Sequence, residues 1–199
     1  MHRFKVSQLI KEVELRFNPV TIMVNKFDED SAKKFMSDMD AAHQTGQPVI
    51  PVCIDSYGGQ VYSLMTMMDC IRSSERPVAT IAVGKAMSCG AFLLSCGTDG
   101  KRYAAPNSTI MIHEVSGGAF GKVDDLVVRS EEITRLNEKL MRKLAVNCGK
   151  DENFFIEKIH DKNHADLYVE PDTAKEWNLV NHVRIPTLTT DISVNFKFE

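Results

Sequence analysis

Hydrophobic positions follow two periods along this chain, and the switches between them mark the elements. Thr21 to Val24 is a short β-rich run, and Asp30 to Ala42 follows with apolar residues at helical spacing. Pro48 to Ile54 is a second apolar, β-branched run, and Val61 to Ile71 reads as a helix. Val78 to Val83 predicts a third strand, Met87 to Cys96 a helix of small residues, and Thr109 to Ile112 a fourth strand. Strands alternating with helices predict an α/β fold with a largely parallel sheet.

Beyond Ile112 the helical period takes over. Asp124 to Asn147 predicts one long amphipathic helix with Leu126, Val127, Ile133, Leu136, Leu140 and Leu144 among its apolar positions, ended by Gly149 as C-cap. A helix of this length in a small α/β domain is expected to project and pack against a partner. Phe154 to Ile159 and Ala174 to Trp177 read as shorter helices, and Val180 to Ile185 as a late strand. The tail from Asp191 to Phe198 alternates, with Ile192, Val194, Phe196 and Phe198 on one side, which is a strand signal. Near the N-terminus, Val6, Leu9, Ile10 and Val13 recur at helical spacing. No repeat or linker interrupts the chain, so residues 1–199 are expected to form a single domain, with an N-terminal helical segment (1–19), the long helix (124–147) and an extended tail (186–199).

Composition narrows the function classes. Charged residues make up 26% with a net charge of −3, and basic residues are interspersed with acidic ones, so a nucleic-acid partner is not expected. The five cysteines (Cys53, Cys70, Cys89, Cys96 and Cys148) lie in apolar segments without a C-x-x-C pair. They read as free thiols in a reducing compartment, with no structural zinc, no other metal and no cofactor expected. The first residues have no continuous apolar core of a signal peptide, and Ala86 to Gly97 falls far short of the roughly 20 residues that cross a bilayer. The expectation is a soluble cytoplasmic protein with no membrane partner.

Three segments carry candidate chemistry. Gly84 to Gly90 sets Ser88 after a strand and at the start of a helix, where free N–H groups and the positive dipole end suit an oxyanion. A serine that only caps a tightly packed corner is the alternative, and Ala86 breaks the G-x-S-x-G elbow of α/β-hydrolases. Asp55-Ser56-Tyr57-Gly58-Gly59 places a glycine pair at a strand end, which either aims backbone N–H groups at a bound group or forms a plain tight turn. His113 ends the fourth strand, and either donates a structural hydrogen bond or acts as a base. Ligands gather beyond the carboxyl ends of parallel strands, so Gly58-Gly59, Ser88 and His113 should converge on one sheet edge, where an imidazole can activate a hydroxyl. His2, His43, His160, His164 and His182 sit in polar or helical contexts and are weaker candidates.

These segments resemble the Clp proteolytic-subunit family of serine peptidases. GKAMSCGAFLLSCG is similar to its nucleophile segment, IDSYGGQVYSLMTMMDCI to its Gly-Gly strand–loop–helix, and MIHEVSGGAFGKVDDL to its histidine segment and the start of its "handle" helix. ADLYVEPDTAKEWNLVNHV resembles the segment that carries the catalytic aspartate. The similarity runs from about Val20 to Val183 in four ordered segments. It implies a crotonase/ClpP-like spiral of β-β-α units with a projecting long handle helix. It also implies a triad of Ser88, His113 and Asp166, and an oxyanion hole made by the backbone N–H groups of Gly59 and Cys89. The implied activity is that of an ATP-dependent serine endopeptidase acting on unfolded polypeptides. The implied partners are further copies in stacked hexameric or heptameric rings, and an AAA+ unfoldase. Leu136 and Leu140 are expected to face the handle helix of an opposing ring.

Three departures from the family pattern stand out. Tyr57 replaces the usual proline before Gly-Gly, His164-Ala165 stands where an Asp-Arg pair is common, and the gating hairpin ahead of the first strand is missing or much reduced. Two rival classes share the same framework: a catalytically silent structural ring subunit, against which all three triad residues are present, and a crotonase-like acyl-CoA enzyme, which needs no Ser–His pair.

Overall fold

The computed structural model describes residues 18–117, 120–187 and 189. The N-terminal helical segment, apart from its last two residues, and the alternating tail therefore lie outside the described residues, as does the question of a gating hairpin.

One seven-stranded sheet organises the described chain. Strands β1 (Ile22–Val24), β2 (Ile50–Ser56) and β3 (Val78–Met87) run parallel side by side. β3 is long because it serves two neighbours in succession. Its first half pairs in parallel with β4 (Arg102–Ala104), which pairs with β7 (His182–Val183); its last residues, Lys85 to Met87, pair in parallel with β5 (Thr109–Ile112). β6 (Leu167–Val169) then adds antiparallel to β5. The sheet is thus parallel apart from one pair, as the alternation of strands and helices implies. The third strand runs four residues past Val83, because Lys85 to Met87 find hydrogen-bonding partners in β5. The three-residue strands β4 and β6 are too short to declare a period of two in the sequence.

Six helices cover this sheet among the described residues: α1 (Glu29–Gln44), α2 (Val61–Arg72), α3 (Cys89–Ser95), α4 (Val123–Asn147), α5 (Phe154–His160) and α6 (Pro171–Glu176). α1 begins at a reciprocal capping box, in which the Asp28 side chain accepts from the Ser31 N–H and the Ser31 hydroxyl accepts from the Asp28 N–H. Ala32, Phe35, Met39 and Ala42 give it a stripe that is buried on the sheet, each of the two large side chains contributing about 1.5–3 kcal/mol. The central helix α3 is buried along its whole length, and Gly90 lets it approach β2 closely, since a Cβ there would lie 3.4 Å from Ile54 Cγ2. α6 starts at Pro171 rather than Ala174, with the proline in the first turn where its missing N–H is not needed.

The long helix divides into two halves. Leu136, Leu140, Met141, Leu144 and Ala145 are buried against the protein's own core, and Gly149 closes the helix with φ +64°. Towards the N-terminal end Val123, Leu126, Val127 and Val128 are exposed. This corrects the expectation for Leu136 and Leu140: at 5% and 2% exposure they belong to the intrachain core and have no surface to offer an opposing helix. The apolar residues free for that role lie about two to four turns before Leu136. No described helix is long and apolar enough to cross a membrane.

Candidate active site

The sheet branch formed by β3, β5 and β6 sets the candidate residues. β3 ends at Met87 and α3 begins at Cys89, leaving Ser88 to make the corner alone with φ +53° and ψ −121°. A non-glycine residue in such a conformation costs on the order of 1–3 kcal/mol and persists only when its surroundings hold it. Here they do: the Ser88 N–H donates to Met111 O at 2.8 Å, and Ser88 O accepts from the Ala91 N–H at 2.9 Å. The first bond ties the corner to β5, two residues before His113. The second folds it into the first turn of α3. A sharp, strained strand-to-helix turn is also how α/β-hydrolases expose a nucleophile, although the sequence here lacks the flanking glycine pattern.

The glycine pair approaches from β2. Gly58 (φ +110°) lies so close that a Cβ there would meet Ser88 Cβ at 2.7 Å and Ser88 Oγ at 3.1 Å. Gly59 (φ +150°) faces β1's extension, where a Cβ would meet that of Phe27 at 3.0 Å. The Gln60 N–H donates to Phe27 O at 2.7 Å, which fixes the turn and leaves the Gly59 N–H unbonded among the described residues. The Cys89 N–H is the first of α3 and has no intrahelical acceptor. Two backbone donors are thereby available beside one hydroxyl.

Ser88, Gly59, Cys89 and His113 line one cleft of about 40 Å³, walled by Val61 and Leu140. The volume has room for no more than a few water-sized groups. A larger hollow of about 360 Å³ between α2 and α4, lined by Met65, Met68 and Val146, contains none of the candidate residues.

Asp166 stands apart from that cleft. It is exposed, and among the described residues no hydrogen bond joins it to His113 or His113 to Ser88. Its position in the sheet is nevertheless informative. β5 and β6 pair Ile110 with Val169, Met111 with Tyr168 and Ile112 with Leu167, so the next step of the same register is His113 with Asp166. Residues opposite each other in an antiparallel pair share a face of the sheet. The structure brings together four of the five candidates and leaves the fifth, Asp166, outside the cleft, one register step beyond the last β5–β6 pair.

A family model described as Clp protease matches residues 7–186. The chain belongs to the Clp protease family. Its mixed α/β fold with a parallel-stranded sheet fits that membership, which makes the chain a Clp-type serine peptidase, a hydrolase.

Cys89 is a nucleophile candidate that a Clp-type site must exclude, because it is the neighbour of Ser88. Its side chain is buried, its thiol donates to Gly59 O at 3.2 Å, and burial pushes its pKa upward. A buried, protonated thiol does not compete as a nucleophile. Cys96 and Cys148 are held still higher by burial, at about 11 and about 12. Treating the folded protein with iodoacetamide should therefore leave peptide hydrolysis within about twofold of the untreated rate. Rapid loss of activity with alkylation at Cys89 would show a thiolate at this corner.

The structure adds groups that sequence patterns did not single out. Lys85 donates to Asp55 Oδ1 at 2.6 Å and lies over the Tyr57 ring at 4.4 Å from its centroid. In this Clp-type chain the tyrosine that replaces proline thus stacks under a lysine that is itself paired with Asp55, next to the glycine pair. Glu114 is tied on both sides: its Oε1 accepts from Asn137 Nδ2 of α4 at 3.5 Å, and its Oε2 pairs with His164 Nδ1 at 2.9 Å. The Val115 N–H donates to Asn137 Oδ1 at 3.0 Å, anchoring the segment after His113 to α4. Besides standing where the family often has an Asp-Arg pair, His164 is spaced from His160 as His-x-x-x-His, which is half of a metal-ligand pattern.

Proposed function

We propose that this Clp-type peptidase is the core subunit of an oligomeric chamber, a serine endopeptidase that hydrolyses unfolded polypeptides with Ser88 as nucleophile, His113 as base and Asp166 as the residue orienting it. The observation that carries this reading is the shared cleft of Ser88 and His113 with the unbonded N–H groups of Gly59 and Cys89. Ser88 Oγ attacks the peptide carbonyl while His113 takes its proton, and the two N–H groups receive the negative charge that develops on the carbonyl oxygen. His113 then donates the proton to the leaving amine. Water, deprotonated by the same imidazole, releases the acyl group from Ser88. Asp166 accepts a hydrogen bond from the other ring nitrogen, which holds the tautomer and stabilises the imidazolium. Side-chain movement is needed for both of the His113 contacts, to Ser88 and to Asp166, since neither hydrogen bond is made among the described residues. The strain at Ser88 fits a serine kept ready for attack.

The chamber half of the proposal rests on family membership and on the exposed end of α4. Val123, Leu126, Val127 and Val128 project an apolar surface that the protein's own core does not use. In stacked six- or seven-membered rings the handle helices of opposing layers would cover it. An AAA+ unfoldase would feed the chamber, coupling degradation of folded proteins to ATP while peptides are cut without it. The five unpaired cysteines support work in the reducing cytoplasm.

Placing glutamate at both Leu126 and Val127 should halve the particle mass in sedimentation velocity, from double to single rings, with the circular dichroism spectrum unchanged. A double ring that survives both charges, or a wild-type chain that is fully active as a monomer, contradicts this use of α4. The activity itself is tested with a blocked fluorogenic peptide and no nucleotide. Steady hydrolysis that a serine-directed inhibitor stops is the expected result.

A further inference from the structure

Glu114, His160 and His164 converge from three directions. Glu114 follows His113 at the end of β5; His160 is the last residue of α5; His164 lies in the turn that leads to Asp166 and β6. One potential ligand atom from each lies within 4.8 Å of the other two. Glu114 Oε2 and His164 Nδ1 are 2.9 Å apart, and the rings of His160 and His164 have centroids 4.4 Å apart.

We propose that these three side chains bind a first-row divalent cation of the zinc type, and that the bound ion fastens the segment carrying His113 to the one carrying Asp166. The donor set argues for the ion. Two imidazoles and one carboxylate suit Zn²⁺ and its neighbours better than Mg²⁺ or Ca²⁺, which take mostly oxygen ligands. Three protein ligands leave a coordination position for water. Tetrahedral bonds of about 2.0–2.1 Å set ligand atoms roughly 3.3 Å apart, so His160 must close part of the present gap. It is exposed at the end of its helix and free to rotate. Glu114 has less freedom, because Asn137 Nδ2 reaches its other oxygen. A second, outer hydrogen bond to a ligating carboxylate is how metal sites hold their ligands in place.

The backbone also presents the second histidine in a costly way. Asn163 and His164 both take left-handed conformations, with φ +55° and +61°, although neither is glycine. The His164 N–H donates to Ile159 O at 3.0 Å, which curls the chain back over the end of α5 and sets the two rings together. Two consecutive residues in this region cost on the order of 1–3 kcal/mol each. The ion's contacts would offset some of that strain, and cation binding here does not require Ser88 to be a nucleophile.

The test uses the full chain titrated with Co²⁺ as a spectroscopic stand-in for Zn²⁺. The expected result is one saturable ion per chain, with visible d–d bands and no thiolate-to-cobalt charge-transfer band, and displacement by Zn²⁺. Affinity should fall at least tenfold in Glu114→Gln and be lost in His160→Ala/His164→Ala. Hydrogen-exchange mass spectrometry should then show slower exchange at residues 113–117 and 164–169 when Zn²⁺ is added to the wild type, and no change in the double variant. Both substitutions are at exposed positions, so folding is checked by circular dichroism and is expected to be intact. The proposal is overturned by an absence of saturable binding, or by binding that the three substitutions leave unchanged, which would place the ion on other histidines or the cysteines. Binding at these residues with no change in exchange at the two segments would overturn the fastening role.

Discussion

Replacing Ser88 with alanine should reduce hydrolysis of small fluorogenic peptides by about four to six orders of magnitude and leave the fold intact. The size of the effect follows from losing the group on which the acyl-enzyme forms; what remains is catalysis by binding and by the oxyanion donors alone. The fold should survive because the Ser88 contacts that hold the corner are made by its backbone N–H and C=O, which alanine retains. Alanine keeps the φ of +53° that the serine already bears, so the strain is common to both and stability should change little. Glycine at the same position separates the two effects, since it relieves the backbone and equally lacks the hydroxyl. Both variants should be inactive. Cys89 is present in both, and its buried thiol should not substitute.

The second large effect is expected at Asp166. Asp166→Asn should lower kcat by about 10³–10⁴ and change KM by no more than a few fold, because asparagine occupies the same space but presents an N–H where the imidazole needs an acceptor. The proposed role gives this carboxylate no contact with the substrate, so binding should be little affected. The carboxylate is exposed and lies one register step beyond the last β5–β6 pair, Ile112 with Leu167, so the substitution should not disturb packing. A normal kcat in Asp166→Asn would mean that His113 works without this partner, as one half of a Ser–His dyad or with another acceptor such as Asp161.

Much of this was legible in the residues because it was local. The strands preceding Gly58-Gly59, Ser88 and His113 are declared by β-branched runs, and parallel topology then obliges their ends to meet. The corner at Ser88 follows from the small residues that let α3 sit against β2. Other features were hidden for physical reasons. β6 is three residues long, so neither its existence nor its antiparallel pairing with β5, whose register extended by one step meets His113 and Asp166, has a periodic signature. The apolar stripe of α4 is continuous from Leu126 to Leu144, and helical spacing does not say which part a core consumes. The interior where α4 packs on α3 and α5 takes Leu136, Leu140 and Leu144, leaving Leu126 and Val127 exposed. His160 and His164 read as solvated polar residues until the left-handed turn at Asn163 and His164 and the distant Glu114 are placed beside them.

The central claim, that Ser88 is an activated nucleophile, is tested most directly by a fluorophosphonate probe followed by intact-mass measurement and peptide mapping. The hydroxyl oxygen would displace fluoride from phosphorus and leave one phosphonyl group per active chain. The expected result is a single adduct on Ser88 that forms in step with the loss of peptidase activity and is absent from Ser88→Ala and strongly slowed in His113→Ala. An enzyme that stays fully active without label, or that loses activity with the adduct on any residue other than Ser88, would contradict it.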